Sequence, residues 1–213
     1  MTTRAIAVNR ATLTSEANPR AHTVYLQGRD DPPGGHPGNL VLEVAWPGSC
    51  YAPPLSSERL ARPFQLQVDE IDPLFSCAVA VGFSWGAWLA LAAAHQRLAR
   101  GASIPRLLLL SPVLGRGGSG AAGLGFFAPR SRRIRHALGL DQGSRVFSLS
   151  RTTIIRGASD PQCLADDARV LQCLGFTLHT VEDAGHRLDT QAACHAIKTA
   201  LAAHLTSGEA QDR

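Results

Sequence analysis

Residues 77–94 read CAVAVGFSWGAWLALAAA, and the character of the chain changes at Ser84. The apolar run Cys77–Val81 has the length and composition of a strand that is covered on both faces. The residues after Ser84 are rich in Ala and Leu and contain no proline before Gly101, which predicts a helix over Trp85–Arg100. A serine therefore lies at a tight strand-to-helix turn.

The serine is flanked by Gly82 and Gly86 in a G-x-S-x-G pattern. In a chain with 20 glycines the pattern alone is weak, and an ordinary turn is the alternative interpretation. A strand before it and an apolar helix after it strengthen the functional interpretation. In this context the pattern matches a nucleophile elbow, in which a strained turn presents the serine hydroxyl.

The composition is that of a soluble globular protein. Of 213 residues, 45% are hydrophobic and 18% are charged, which suits a single α/β domain over residues 1–213. No apolar stretch is long enough to span a membrane, and the first 20 residues lack the apolar core of a secretory signal. Ala5–Val8 fits a first strand. The five cysteines form no C-x-x-C pair, so we expect reduced thiols and a cytoplasmic location.

The excess of positive charge does not predict a nucleic-acid partner. The net charge is +4, and part of it is concentrated in four arginines: Arg130, Arg132, Arg133 and Arg135. No aromatic residues interleave with them, and no phosphate-binding glycine loop follows a strand, so a solvated helix face is the favoured interpretation.

Apolar runs alternate with helical patterns along the chain. This alternation predicts a mainly parallel, doubly wound sheet of about six to seven strands with helices on both faces. The predicted strands are His22–Gln27, Leu40–Ala45, Cys77–Val81, Arg106–Leu110, Thr152–Arg156 and Thr177–Val181. The predicted helices are part of Ser57–Leu74, then Trp85–Arg100, Ala165–Leu174 and Thr190–Leu205. The Pro- and Gly-rich stretch Arg29–Asn39 leaves little room for a helix, and Ser207–Arg213 is expected to fray.

Two further polar residues follow strands at the edge of the sheet where Ser84 is expected. Asp160 comes just after the strand that ends at Arg156, and His186 follows the last strand. A serine needs a base, and the base needs an orienting acid, so the order Ser, Asp, His is chemically meaningful. Each also has a structural interpretation, with Asp160 as a helix cap and His186 as a surface histidine. Glu182 and Asp183 are competing acids, but they precede His186 on its own loop.

With these motifs in this order, the chain resembles the α/β-hydrolase superfamily over about residues 22–205. The matching segments are GFSWG around Ser84, RGASDP around Asp160 and DAGHRL around His186. Within the superfamily it is similar to small, nearly cap-less esterases and thioesterases. The resemblance implies a serine hydrolase acting on a small-molecule acyl substrate, with no cofactor and no metal. Ser84 would be the nucleophile, His186 the base and Asp160 the acid that orients it.

The resemblance also implies an oxyanion hole built from backbone N–H groups. The first donor would be Trp85, and the second would come from Gly28 or Arg29, where Gln27-Gly28 replaces a histidine-glycine pair. The family normally has a helix between this strand and the next, and here the stretch Arg29–Asn39 has to take its place.

One segment after the fourth predicted strand is a candidate lid. Residues 115–137 combine a glycine-rich loop, the pair Phe126 and Phe127, and the arginine cluster. The phenylalanines would help to cover the acyl pocket, although an exposed helix behind a loop is the alternative. A different functional class also stays open, namely a non-catalytic binding or scaffold protein with this fold.

Overall fold

The computed structural model is centred on one parallel β-sheet. The residues that it describes are 22–29, 31, 35–45, 50–53, 55–113, 151–173 and 175–209. Within them, six strands pair side by side, all parallel, in the order β2-β1-β3-β4-β5-β6. Their bounds are β1 Thr23–Leu26, β2 Cys50–Tyr51, β3 Val79–Phe83, β4 Arg106–Leu110, β5 Thr152–Gly157 and β6 Thr177–Val181.

Helices cover both faces of this sheet. They are α1 Gly38–Val44, α2 Ser57–Ala61, α3 Phe64–Ile71, α4 Trp85–Ala99, α5 Ala165–Cys173 and α6 Gln191–Glu209, with a 3₁₀ turn over Asp72–Ser76. Side chains of α3, α4 and α5 share a hydrophobic core on one face, and those of α1 and α6 share a second core on the other. The predicted doubly wound parallel architecture is therefore confirmed.

The central strand β4 shows why these sequences form strands. Leu107 and Leu109 enter the core beneath α4, whereas Leu108 and Leu110 enter the core beneath α6. All four side chains are completely buried. Because successive side chains of a strand point to opposite faces, a sheet covered on both sides requires such an uninterrupted apolar run.

The prediction for the stretch after β1 was wrong. Leu40–Ala45 is not a strand, because the helix α1 occupies Gly38–Val44. Within it Val41 is buried and Glu43 is exposed, and the buried Ala45 lies four residues after Val41, which is the spacing of one helix face. The strand that follows is the two-residue β2, too short to show any periodicity. The expected departure from the family pattern is thus absent, since a helix does separate β1 from the next strand.

Other bounds moved by a few residues. Strand β3 begins and ends two residues later than predicted, at Val79 and Phe83. Helix α6 extends to Glu209, beyond the predicted end at Leu205. The expected fraying of Ser207–Arg213 stays a prediction. All five cysteines are free. The predictions for Ala5–Val8, the lid segment 115–137, the arginine cluster, and Phe126 and Phe127 fall outside the described residues.

Candidate active site

Ser84 occupies the turn between β3 and α4 in a strained backbone conformation. Its φ is +52° and its ψ is −114°, a region that L-residues other than glycine rarely adopt. The Ser84 N–H donates to the carbonyl of Leu110 on the neighbouring strand at 2.9 Å, and Trp88 N–H donates to the Ser84 carbonyl at 3.2 Å. These bonds hold the turn from both sides, so the side chain of Ser84 projects from the carboxyl edge of the sheet.

The two flanking glycines are required because α4 packs closely against β3 and β1 at these positions. A Cβ at Gly82 would lie 2.5 Å from the Cα of Ala87, and one at Gly86 would overlap the carbonyl oxygen of Leu26. Any side chain at these positions would push α4 away from β3 or β1. The G-x-S-x-G pattern therefore has a steric reason in this fold.

The three residues singled out from the sequence lie together in one hydrogen-bonded chain. The Oγ of Ser84 lies 2.8 Å from Nε2 of His186. On the other side of the ring, Nδ1 of His186 lies 3.0 Å from each carboxylate oxygen of Asp160. Asp160 is 2% exposed and Ser84 is 8% exposed, so water has little access to these bonds. An arrangement of this kind can move a proton from the serine to the imidazole while the carboxylate stabilises the imidazolium.

Asp160 is held as a carboxylate by its surroundings. Burial opposes its ionisation, but the hydrogen bond and charge of His186 and the N–H of Gln162 outweigh burial and keep the pKa of the carboxyl below its ordinary value. Its Oδ1 accepts from the N–H groups of Gln162 at 2.8 Å and Cys163 at 3.1 Å. Asp160 therefore also caps a turn, although the helix α5 begins only at Ala165, as predicted.

Backbone hydrogen bonds join the loop that carries Asp160 to the loop that carries His186. Ser159 N–H donates to the carbonyl of Ala184 at 3.1 Å, and Ala158 N–H donates to that of Val181 at 2.9 Å. A Cβ at Gly157 would overlap the carbonyl oxygen of Ala184, so only glycine permits this approach. The distance between the acid and the histidine is consequently set by backbone contacts.

His36 is a residue of this region that the sequence did not reveal. In the sequence it lies within the Pro- and Gly-rich stretch Arg29–Asn39, away from any predicted strand end, yet its Nε2 donates to the carbonyl of Leu188 at 2.7 Å. Leu188 is fully buried, has a φ of +54° and follows His186 by two residues. His36 thus ties the segment after β1 to the histidine loop. Its partner lies 152 residues away, and no local pattern signals such a contact.

The imidazole of His186 also packs on an aromatic ring. The centroids of Phe83 and His186 lie 5.5 Å apart, with an interplanar angle of 36°. Phe83 directly precedes Ser84 and is 2% exposed. The same residue that leads into the turn therefore restricts the orientation of the base.

The candidate oxyanion donors lie near the turn. Trp85 is the first residue of α4. The N–H groups of a helix's first turn have no acceptor within the helix, so the N–H of Trp85 needs a partner outside it. Gly28 lies against Phe83, since a Cβ there would approach the ring to 3.0 Å. This places Gly28 beside the residue that precedes Ser84. The roles of Trp85, Gly28 and Arg29 as donors stay predictions.

The other candidates for the site lie elsewhere. Asp183 accepts a hydrogen bond from the Thr190 hydroxyl at 3.2 Å rather than from His186. His204 bonds to Thr153 through Nε2 at 3.1 Å, on the face of the sheet that α6 covers. Within the described ranges, no group of three His, Cys, Asp or Glu side chains is placed to hold a metal ion. Among the same residues, no helix has the length and apolar character needed to cross a membrane.

Comparison with known proteins identifies the architecture. No protein-family model matches this sequence, and no curated protein sequence matches it. Many solved structures do match, beginning with a Xanthomonas campestris protein assigned to the alpha/beta superfamily of hydrolases, with 21% identity and a TM-score of 0.59. That alignment covers 88% of this chain and 98% of the other.

Two further matches cover a similar share of this chain. Est1E from Butyrivibrio proteoclasticus is 12% identical with a TM-score of 0.58, covering 89% of this chain and 88% of its own. An esterase from Pyrobaculum calidifontis is 15% identical with a TM-score of 0.58, covering 87% and 76%. The chain has the α/β-hydrolase fold, as the resemblance of its three motifs implied.

Proposed function

We propose that the protein is a serine hydrolase that cleaves a carboxylic ester or thioester of a small or medium-sized acyl substrate through an acyl-serine intermediate. The observation that carries the proposal is the continuous hydrogen-bonded chain from Asp160 through His186 to Ser84. The esterase and the hydrolase-superfamily protein that share the fold support the same reaction type for this chain.

The proposed chemistry follows from the hydrogen-bond directions. The Asp160 carboxylate accepts the Nδ1 proton of His186, which leaves Nε2 unprotonated and able to accept from the Ser84 hydroxyl. Ser84 Oγ attacks the acyl carbon while its proton moves to Nε2. His186 then gives that proton to the departing alcohol or thiol, and the acyl group stays on Ser84. Water, deprotonated by His186, then attacks the acyl carbon, the bond to Ser84 Oγ breaks, and His186 returns the proton to that oxygen as the acid leaves.

The oxyanion of each tetrahedral intermediate needs donors that are already in place. We assign this role to the N–H of Trp85 and to that of Gly28 or Arg29. Removing a single donor of this kind typically slows an acyl transfer by about two to three orders of magnitude. The fold offers these positions because α4 begins directly after Ser84 and β1 ends beside Phe83.

The alternative is a binding or scaffold protein that keeps the fold without the chemistry. The strained φ of Ser84 disfavours it, because a residue with φ near +52° costs free energy that a binding protein has no reason to retain. Burial of the Asp160 carboxylate with its hydrogen bonds to His186 disfavours it for the same reason.

A fluorophosphonate probe separates the two functions. It phosphonylates a serine only if the hydroxyl is activated, so we expect one equivalent of label on Ser84 and loss of labelling in Ser84→Ala. Ser159→Ala is the matched control, because this exposed serine lies on the Asp160 loop and donates only its backbone N–H to Ala184. No labelling of the folded wild-type protein would favour the binding protein.

A second measurement defines the bond that is cleaved. Pairs of esters and thioesters with identical acyl groups should show an initial burst of leaving group equal to the enzyme concentration when deacylation is slow. The ratio of kcat/KM within each pair decides between ester and thioester preference. A rate unchanged in Ser84→Ala would contradict the acyl-serine mechanism for both.

A further inference from the structure

Arg156 is a buried cation beneath the loop that carries Asp160. It belongs to β5, next to the site, and is only 3% exposed. Its Nε donates to the carbonyl of Cys163 at 2.7 Å, and its Nη2 donates to the carbonyl of Ala158 at 3.2 Å. Among the described residues, no carboxylate forms an ion pair with it. Its direct partners are thus two backbone carbonyls.

These two carbonyls lie on either side of Asp160 in the sequence. Ala158 precedes Asp160 by two residues, and Cys163 follows it by three. The N–H of Cys163 donates to Asp160 Oδ1 at 3.1 Å, while its carbonyl accepts from Arg156. The guanidinium of Arg156 and the carboxylate of Asp160 bind the carbonyl and the N–H, respectively, of Cys163. Both side chains therefore form hydrogen bonds with the backbone of the same loop.

A buried guanidinium is an expensive way to fill this position. Removing such a charge from water costs several kcal/mol unless other groups compensate it. Ile154, two residues earlier and in the same core beneath α4 and α5, shows that an apolar side chain suits this face of β5. A requirement beyond packing therefore has to explain the arginine.

The charge of the loop supplies one reason. Burial, followed by the charge of Asp160, raises the pKa of the Cys163 thiol, and the positive charge of Arg156 acts in the opposite direction. Both charges therefore act on the same buried thiol. Arg156, in β5, and Asp160, on the short loop that follows it, are each close enough to Cys163 to act on its thiol.

We propose that Arg156 is a positioning residue whose two hydrogen bonds fix the 158–163 loop so that both oxygens of Asp160 face Nδ1 of His186. Its catalytic consequence rests on the proposed function, but its effect on His186 does not. The two carbonyls are reached from two nitrogens, Nε and Nη2, of one rigid planar group, whereas an ammonium offers a single nitrogen at the end of a flexible chain.

The variant Arg156→Lys tests this, because it keeps the positive charge and loses the rigid pair of donor nitrogens, Nε and Nη2. We expect kcat on an activated ester to fall at least tenfold while KM stays within about twofold, since the loop does not bind the acyl group. By NMR, we expect the Nδ1–H resonance of His186 to move upfield, because its carboxylate partner is no longer aligned. Arg156→Met, without the charge, should lower kcat further.

Ile154→Ala is the matched control, because it removes a buried side chain from the same strand and leaves the loop bonds intact. It should lower the melting temperature without moving kcat or the His186 signals. If folded Arg156→Lys keeps the wild-type Nδ1–H resonance of His186, the proposal is overturned, whatever the enzyme does. If the wild-type protein hydrolyses no ester, the proposed function fails, and the NMR comparison still decides the role of Arg156. Should Arg156→Met not fold, the lysine variant carries both measurements.

Discussion

Nδ1 of His186 lies 3.0 Å from both carboxylate oxygens of Asp160. An imidazole placed symmetrically between two acceptors has its proton fixed on Nδ1, so Nε2 is left to accept from Ser84. Replacement of Asp160 by Asn puts an amide in this place, which stabilises the wrong tautomer. We expect Asp160→Asn to lower kcat by about four orders of magnitude, as such a change does in serine hydrolases with this arrangement. Steady-state kinetics on an activated ester measures it.

Asp183→Asn is the matched control for that change. Asp183 lies on the histidine loop but bonds to Thr190, so its replacement should leave kcat within about twofold. A large loss in Asp183→Asn together with an active Asp160→Asn would mean that the competing acid serves His186 in solution.

The positive φ of Ser84 predicts that a glycine at this position is more stable than an alanine, the reverse of the usual order. Ser84→Ala and Ser84→Gly both remove the hydroxyl and its bond to His186, and they differ only in the Cβ. In an ordinary strand or helix, glycine is less stable than alanine by about 0.5–1 kcal/mol. At a φ of +52° the order should reverse, with the glycine variant more stable by about 1 kcal/mol. Urea denaturation of the two inactive proteins measures the difference, and a more stable alanine variant would show that the turn is unstrained.

His204 should make stability depend on pH. Burial, followed by the nearby charge of Arg106, lowers the pKa of His204 from 6.5 to about 4. The unfolded chain therefore binds a proton between these values and the folded chain does not, so stability increases as pH rises from 4 to 6.5 and is lost on acidification. Because the ring is only partly buried, we expect an increase of about 1–3 kcal/mol over this range.

His204→Gln removes this titration. The variant also loses the bond to Thr153, which lowers stability equally at every pH, so the informative quantity is the slope. Unfolding free energies measured at pH 4.5, 5.5 and 6.5 should rise less steeply in the variant. Parallel curves for the two proteins would contradict the assignment.

Most of the candidate site was predictable because its residues stand where a parallel sheet places strand ends. Ser84 follows β3 directly, Asp160 and His186 lie in the loops after β5 and β6, and the carboxyl ends of parallel strands meet at one edge. Apolar runs mark β3 and β4 and a shorter one marks β5, whereas β6, which reads TLHTV, is largely polar and exposed. The three residues could be grouped without knowing any distance between them.

What the sequence did not reveal depends on contacts between distant segments. The stretch Leu40–Ala45 is apolar and partly β-branched, as a strand would be, and it becomes a helix because α1 packs against α6. Lys198 of α6 donates to Glu43 of α1 at 2.8 Å, a second contact between these two helices. The loop bonds of Arg156 were equally invisible, since a charged residue at the end of a strand is usually exposed.

The contact between His36 and Leu188 yields the last prediction. Leu188 has a φ of +54° and follows His186 by two residues, so its carbonyl is a point at which the histidine loop is held. His36→Leu removes the donor and leaves that carbonyl without this bond, which should cost about 1 kcal/mol in the free energy of unfolding. The freed loop should also lower kcat several-fold, because small misplacements of a base are costly. His36→Gln can still donate through its amide, so we expect it to recover most of kcat. If the leucine and glutamine variants lose kcat equally, the hydrogen bond to Leu188 is not what holds His186 in place.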